Sequence, residues 1–321
     1  MMEIQLVTQN KKRWLDLLLL ADEQEDMLDR YLERGELYVL SEAGNTVAVA
    51  VVTDEGEGVC ELQNLAVAPD SQRRGYGRRV VEYLAQRYGA SHHTMLAGTG
   101  ESPATLPFYY RCGFSESRRI KNFYLDYYDH PIVEAGVQLI DKIVLKRSLW
   151  VLETPRLGFR RLSHADHAAL RPILGDPETM YAWEYGFNDE QITQFINRCL
   201  MRYVSDGYAY FAAIDKTTGA LIGLMGLLNE DIDGSIQLGV GYILAKCHWG
   251  KGYAAEGAKG WLGYAFDTLG AARVIADIRP GNTASRSVAE RLGMRIIAQH
   301  VKQVNGKEML HLVYAVDKNK E

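Results

Sequence analysis

Apolar residues in the first half of the chain fall into short runs separated by turn signals. Runs at 37–40 and 47–52 flank Gly44-Asn45 and predict a β-hairpin, and a third run, 60–67, ends just before Pro69. From Gly75 to Arg87 the spacing changes to that of a helix, with Val80, Val81, Leu84 and Tyr88 on one face. A strand at 94–97, a short helix at 105–111 halted by Gly113, and a strand at 139–145 complete the set. The prediction is α/β: antiparallel hairpins leading into one β-α-β crossover.

The second half repeats this order. Strands are predicted at 157–161, 208–214, 221–228 and 237–244, then a glycine-containing loop, a helix at 254–266, a strand at 273–278, and a helix at 282–292 stopped by Gly293. Gly75 to Gly113 and Gly252 to Gly293 enclose nearly equal lengths, so a whole domain recurs. The boundary is placed in 146–155, where Thr154-Pro155 interrupts any regular element, giving domains 1–147 and 148–321.

Length and charge narrow the function. A chain of 321 residues with 47% hydrophobic residues is long enough for two separate cores. The formal net charge of −5 arises within 1–147 and the rest is balanced, so neither half has the basic excess that nucleic-acid binding requires, and a cationic substrate suits the surface better. Cys60, Cys112, Cys199 and Cys247 lack metal-ligand spacing and read as reduced thiols in the core, with no metal expected. Residues 11–20 imitate a signal peptide, but Asp16 breaks the apolar run and acids follow it, which favours an amphipathic helix. With no run of membrane-spanning length, a cytoplasmic protein without membrane partners is expected.

The candidate chemistry lies in two loops. One reads Gln72, Arg73, Arg74, Gly75, Tyr76, Gly77, and the other Trp249, Gly250, Lys251, Gly252, Tyr253, Ala254; each runs into a helix. Small residues there let backbone N–H groups close around an anion at the positive end of the helix dipole. A tight strand-to-helix turn without a ligand is the competing reading of either loop. Neither contains Gly-Lys-Ser/Thr, which excludes a Walker loop. A dinucleotide loop would follow the first strand of its domain, and the second-half loop follows the fourth.

Strand, Q/R-x-x-G-x-G/A loop, helix, strand, short helix and a glycine stop together resemble the GNAT superfamily of acyl-CoA N-acyltransferases, once in each half. In the first half the resemblance rests on Leu65, Ala66 and Val67, on the loop from Gln72 to Gly77, and on the segment from Phe108 to Phe114. The second half resembles the branch that acetylates ribosomal-protein N-termini, through Thr154-Pro155-Arg156, Gly241-Tyr242, the loop followed by Glu256, and Asn282-Thr283-Ala284-Ser285. The implied fold is two tandem GNAT-like domains, each a mixed, mostly antiparallel sheet around a β-α-β core that binds acyl-CoA. The implied cosubstrate is acetyl-CoA, the reaction direct acetyl transfer to a primary amine, and the acceptor a small molecule or a protein N-terminus.

The resemblance also implies roles. Leu65, Ala66, Val67 and residues 72–77 hold the cofactor in the first half; Ile243, Leu244, residues 249–254 and Asn282 hold it in the second. Tyr109 matches the tyrosine that protonates sulfur, with a core aromatic as the alternative. Glu61 matches a carboxylate general base, with a solvated strand-end acid as the alternative. Phe123, Tyr124, Asp126, Tyr127, Tyr128, Asp129 and Glu134 suit a cationic amine, or else pack over one end of the domain. Ser285 is the second-half candidate near sulfur. There Ala289 matches Tyr109, and Gly239 stands where relatives often carry Glu, so the second domain is either catalytic or a CoA-binding sensor or packing domain. A CoA-binding interaction protein without turnover is the third reading, and monomer and homodimer both stay open.

Overall fold

The computed structural model describes residues 2–304 and 306–318. The chain divides into two compact units, Met1–Leu149 and Trp150–Glu321.

The first unit runs β1 (Met2–Val7), α1 (Leu15–Leu18), α2 (Glu25–Asp29), β2 (Glu36–Glu42), β3 (Asn45–Gly56), β4 (Val59–Val67), α3 (Tyr76–Tyr88), β5 (Thr94–Thr99), α4 (Leu106–Arg111), β6 (Ser115–Ile120), α5 (Phe123–Tyr127), β7 (Val133–Glu134), β8 (Val137–Gln138) and β9 (Lys142–Ser148). Seven strands form one sheet in the order β1-β2-β3-β4-β5-β9-β6, in which the β4–β5 pair is parallel and the others antiparallel. Val80, Val81 and Leu84 of α3 pack on Cys60 and Leu62, while Ala66 joins the opposite core with Leu18, Leu28 and Val49. The change of face has a local cause. Val51 pairs with Asn64 and Val52 with Leu62, so Gln63 is the extra residue of a β-bulge and the side-chain alternation restarts after it.

The amphipathic helix expected at 11–20 is instead a 3₁₀ turn, Lys11–Trp14, followed by the single turn of α1. Lys11 explains the break, because its ammonium is drawn inside and donates to the carbonyls of Leu32, Glu33 and Gly35 at 2.7–2.8 Å. β1, β6 and α5 were not expected from the pattern. The reading of all four cysteines as core thiols needs correction as well: Cys60, Cys112 and Cys199 are buried, but Cys247 is exposed in the 3₁₀ turn before the second glycine loop.

The second unit runs β10 (Leu152–Glu153), β11 (Leu157–Arg160), α6 (His167–Leu174), α7 (Asp189–Ser205), β12 (Tyr210–Asp215), β13 (Leu221–Ile232), β14 (Ser235–Leu244), α8 (Tyr253–Gly263), β15 (Arg273–Ile278), α9 (Thr283–Arg291), β16 (Arg295–Val304) and β17 (Lys307–Asp317). Its eight-stranded sheet has the order β10-β11-β12-β13-β14-β15-β17-β16, again with one parallel pair, β14–β15. Trp261 of α8 is wholly buried and stacks on Phe211 of β12 with centroids 4.7 Å apart, which fixes the helix to the sheet. No helix among the described residues is long and apolar enough to cross a membrane.

Candidate functional site

In each sheet the parallel pair opens partway along. The β4–β5 ladder ends at Leu62/Ala97, although β4 stays paired with β3 as far as Val67. The β14–β15 ladder consists of Gly239/Ile275, although β14 stays paired with β13 as far as Leu244. Backbone groups of Leu65, Ala66 and Val67, and of Ile243 and Leu244, that face the missing neighbour have no ladder partner. The result is a pair of wedge-shaped openings edged with donors and acceptors.

The loops beyond these strands share one backbone conformation. Ala68 and Ala245 have φ, ψ of −51, 136 and −52, 137; Gln72 and Trp249 have −64, 160 and −69, 157; Gly75 and Gly252 have 85, 3 and 81, 1. Arg73 and Gly250 both have positive φ, 58 and 72. Among the described residues no carbonyl accepts the amides of residues 73–77 or 250–254. These stretches lead into helices of 13 and 11 residues, whose first-turn donors and dipole favour an anion.

The side chains of the loops serve other purposes. Gln72 Nε2 donates to the Val67 carbonyl at 3.2 Å, and Trp249 Nε1 donates to the Leu244 carbonyl at 2.7 Å, so two chemically different side chains brace the same strand end. Tyr76 donates to Glu42 and Tyr253 to Asp215, which turns both rings toward the sheet. Arg74 pairs with Glu42 at 3.2 Å, whereas the Lys251 carbonyl is held by Arg156, itself bound to Glu256 at 2.6 Å. Glu256 also accepts from Thr154 and the Arg156 amide.

A cavity of about 1010 Å³ in the first unit gathers most of the expected residues. Leu65, Ala66, Val67, Gln72, Arg73, Gly75, Tyr76, Gly77 and Tyr109 line it, as do Phe123, Tyr124, Tyr128 and Glu134. Asp126 and Tyr127 are exposed and Asp129 pairs with His130, so these three do not join it. Tyr109 projects from α4 between Phe108 and Phe114. Its hydroxyl makes no hydrogen bond among the described residues, and burial pushes its pKa up, so it carries a proton that no protein group claims.

Glu61 is not a lining residue. Its carboxylate accepts from Lys142 at 3.3 Å, and it is Lys142 that borders the cavity. Three carboxylates line the cavity, Asp22, Glu23 and Glu134, and Asp22, one of the acids that follow the apolar run, is the one held by two tyrosines. Asp22 accepts from Tyr31 at 3.2 Å and Tyr128 at 3.0 Å, and burial raises its pKa despite those bonds and the nearby charge of Lys142. Beside it, Asn64 donates to the Leu18 carbonyl and the Tyr31 hydroxyl, which leaves its own buried Oδ1 without a partner.

In the second unit Asn282 caps α9 and accepts from the Ser285 amide at 3.0 Å and from Tyr181 at 2.5 Å, so its oxygen is already filled and its amide nitrogen remains for a ligand. Tyr242 donates to the Ser285 carbonyl at 3.2 Å, and burial pushes the phenol up to about 12. Ala289 is buried where the first unit has Tyr109. Tyr242 belongs to the Gly241-Tyr242 motif, whereas Tyr181 has no signal in the motifs and reaches Asn282 from a separate 3₁₀ turn.

Comparison with known proteins follows this division. Residues 156–295 and, separately, residues 33–116 match family models that are each described as an acetyltransferase (GNAT) domain. Bacillus subtilis YkkB is 33% identical over 144 residues, covering 44% of this chain and 84% of its own length. The Bacillus subtilis N-acetyltransferase YvbK is 34% identical over 148 residues, covering 45% and 94%. Among solved structures, a GNAT family acetyltransferase from Elizabethkingia anophelis with acetyl-CoA bound shares 30% identity over 46% of this chain and 97% of that one, at a TM-score of 0.44.

Proposed function

We propose, from the premise that this chain belongs to the GNAT acetyltransferase family, that its first unit transfers the acetyl group of acetyl-CoA directly to a cationic primary amine. The observation that carries the reading is the single cavity that joins the unclaimed loop amides, the opened strand, the unbonded Tyr109 hydroxyl and the Asp22 carboxylate.

The amides of residues 73–77 hold the pyrophosphate, each such charge-assisted bond contributing about 1.5–3 kcal/mol. Backbone groups of Leu65, Ala66 and Val67 bind the pantetheine and polarise the thioester carbonyl. Asp22 attracts the ammonium, with the Tyr124–Tyr128 stack beside it and the free Asn64 oxygen available to an N–H. Its raised pKa makes it a better proton acceptor than an ordinary aspartate. Glu61 acts at one remove, by holding Lys142. Once the amine has attacked, Tyr109 gives its proton to the departing sulfur and recovers one from the new amide nitrogen.

The test is calorimetric titration of the whole chain with acetyl-CoA, alongside thiol release over an amine panel. Two bound equivalents and amine-dependent release are expected, with Gly75→Val removing one equivalent. A Gly75→Val chain that binds as the parent does would overturn the reading of the loop.

A further inference from the structure

Gly239 occupies the ladder position of Glu61: Glu61 faces Leu96, the third residue of β5, and Gly239 faces Ile275, the third residue of β15. The second unit therefore lacks the strand acid of the first. The space is nevertheless filled by an acid from the next strand. A Cβ built on Gly239 would lie 2.8 Å from Cγ of Glu230, so the absence of a side chain on β14 is what lets the Glu230 side chain of β13 lie across it.

The surroundings of Glu230 reproduce those of Glu61 with different residues. Glu61 accepts from Lys142 of β9, and Glu230 accepts through Oε2 from Lys302 of β16 at 2.8 Å. Lys142 lies near a second carboxylate, Asp22; Lys302 meets the buried Asp277 at 2.5 Å. Asp277 also bonds His300 Nε2 at 3.0 Å, and Asp233 stands 3.9 Å from the other ring nitrogen. Two carboxylates, Glu230 and Asp277, thus share the single ammonium of Lys302. Glu230 Oε1 takes no hydrogen bond among the described residues. Tyr210, buried against Gly241, senses the Glu230 charge and is pushed up mainly by burial.

The geometry points to a second acetyl-transfer centre within residues 150–321, in which Glu230, lying across Gly239 with its Oε1 unbonded, takes the proton of a cationic primary amine directly, the part given to Asp22 and not to Glu61 in the first unit. This rests on the acetyltransferase reading of the family core. One ammonium proton passes to Glu230, and the freed nitrogen attacks the thioester carbon. As the C–N bond forms and the C–S bond breaks, a second nitrogen-bound proton passes to sulfur, giving amide, free thiol and a proton that Glu230 returns to solvent.

The experiment uses the full chain with the first unit silenced by Gly75→Val and Tyr109→Phe. Acetyl-CoA is supplied with putrescine, tyramine and a tripeptide bearing a free N-terminal serine. Amine-dependent thiol release is expected to persist, to fall about 100-fold in Glu230→Gln with unchanged acetyl-CoA affinity, and to return when Gly239→Glu is combined with Glu230→Gly. Silenced chain that binds acetyl-CoA but releases no thiol with any of the three amines, or Glu230→Gln at the parent rate, would overturn the inference and leave the first-unit reading intact. Failure of the unaltered chain to release thiol with any of them would instead strike at the acetyltransferase reading itself.

Discussion

At the scale of single residues, two groups in the first unit carry opposite demands. Tyr109 has to keep its proton until sulfur departs, and burial keeps it protonated at neutral pH. Tyr109→Phe is expected to lower kcat about 100-fold with little change in KM, as read by thiol-release kinetics. Burial disfavours the charge of Asp22 and raises its pKa, so activity and stability pull apart there. With the folded pKa raised, the native state binds the extra proton between the ordinary aspartate value and the raised one; stability contributed by this group falls as pH rises through that window. Asp22→Asn is therefore expected to add about 1 kcal/mol at pH 7 in denaturant titrations, to add little below pH ~4, and to reduce turnover severely. Parent stability at both pH values would refute the account of its burial. Lys11 is the converse case, a charge whose loss strands three carbonyls. Lys11→Ala is expected to cost about 3 kcal/mol in the first unit's unfolding transition.

At the scale of elements, legibility depended on how local the cause was. The helix α3, the Gly44-Asn45 hairpin and the glycine stops follow from periods and turn residues within a dozen positions. Helix α7, which is not among the predicted elements, has equally local signals, since Asn188 and Gln191 form a capping box and Ile192, Phe195, Ile196, Cys199 and Tyr203 make one buried face. β6 could not be read, because Ser115–Ile120 is mostly polar and exposed and is a strand through its pairing with β9. Asp22 was hidden for the same reason: its partner Tyr128 arrives from the far side of the domain in sequence. The left-handed backbone at Arg73 had no signal of its own apart from Gly250 in the matching loop. Arg73→Gly is expected to raise stability by roughly 0.5 kcal/mol, the relief of a positive φ exceeding the entropy glycine adds to the unfolded chain, and leaves acetyl-CoA affinity close to parent. Native thiol titration offers another check, with Cys247 alone expected to react promptly and bound acetyl-CoA slowing it.

At the scale of the whole molecule, the sequence repeat became a repeat of mechanism-bearing geometry carried by different side chains: glutamine and tryptophan bracing one strand end, glutamate on β4 or β13 meeting a lysine. Each unit has its own core. Polypeptides corresponding to Met1–Leu149 and Trp150–Glu321 are each expected to unfold cooperatively and bind one acetyl-CoA by calorimetry; a half that stays unfolded alone would contradict independent cores. The openings beside β4 and β14 bear on isotope exchange. Amides at the centre of a large sheet ordinarily surrender their protons last, on the timescale of global unfolding. Here the amides facing the opening beyond Leu62 and beyond Gly239 lack ladder partners, so deuterium should label them within seconds while their neighbours on β3 and β13 remain protonated for hours, and a bound ligand should erase the contrast.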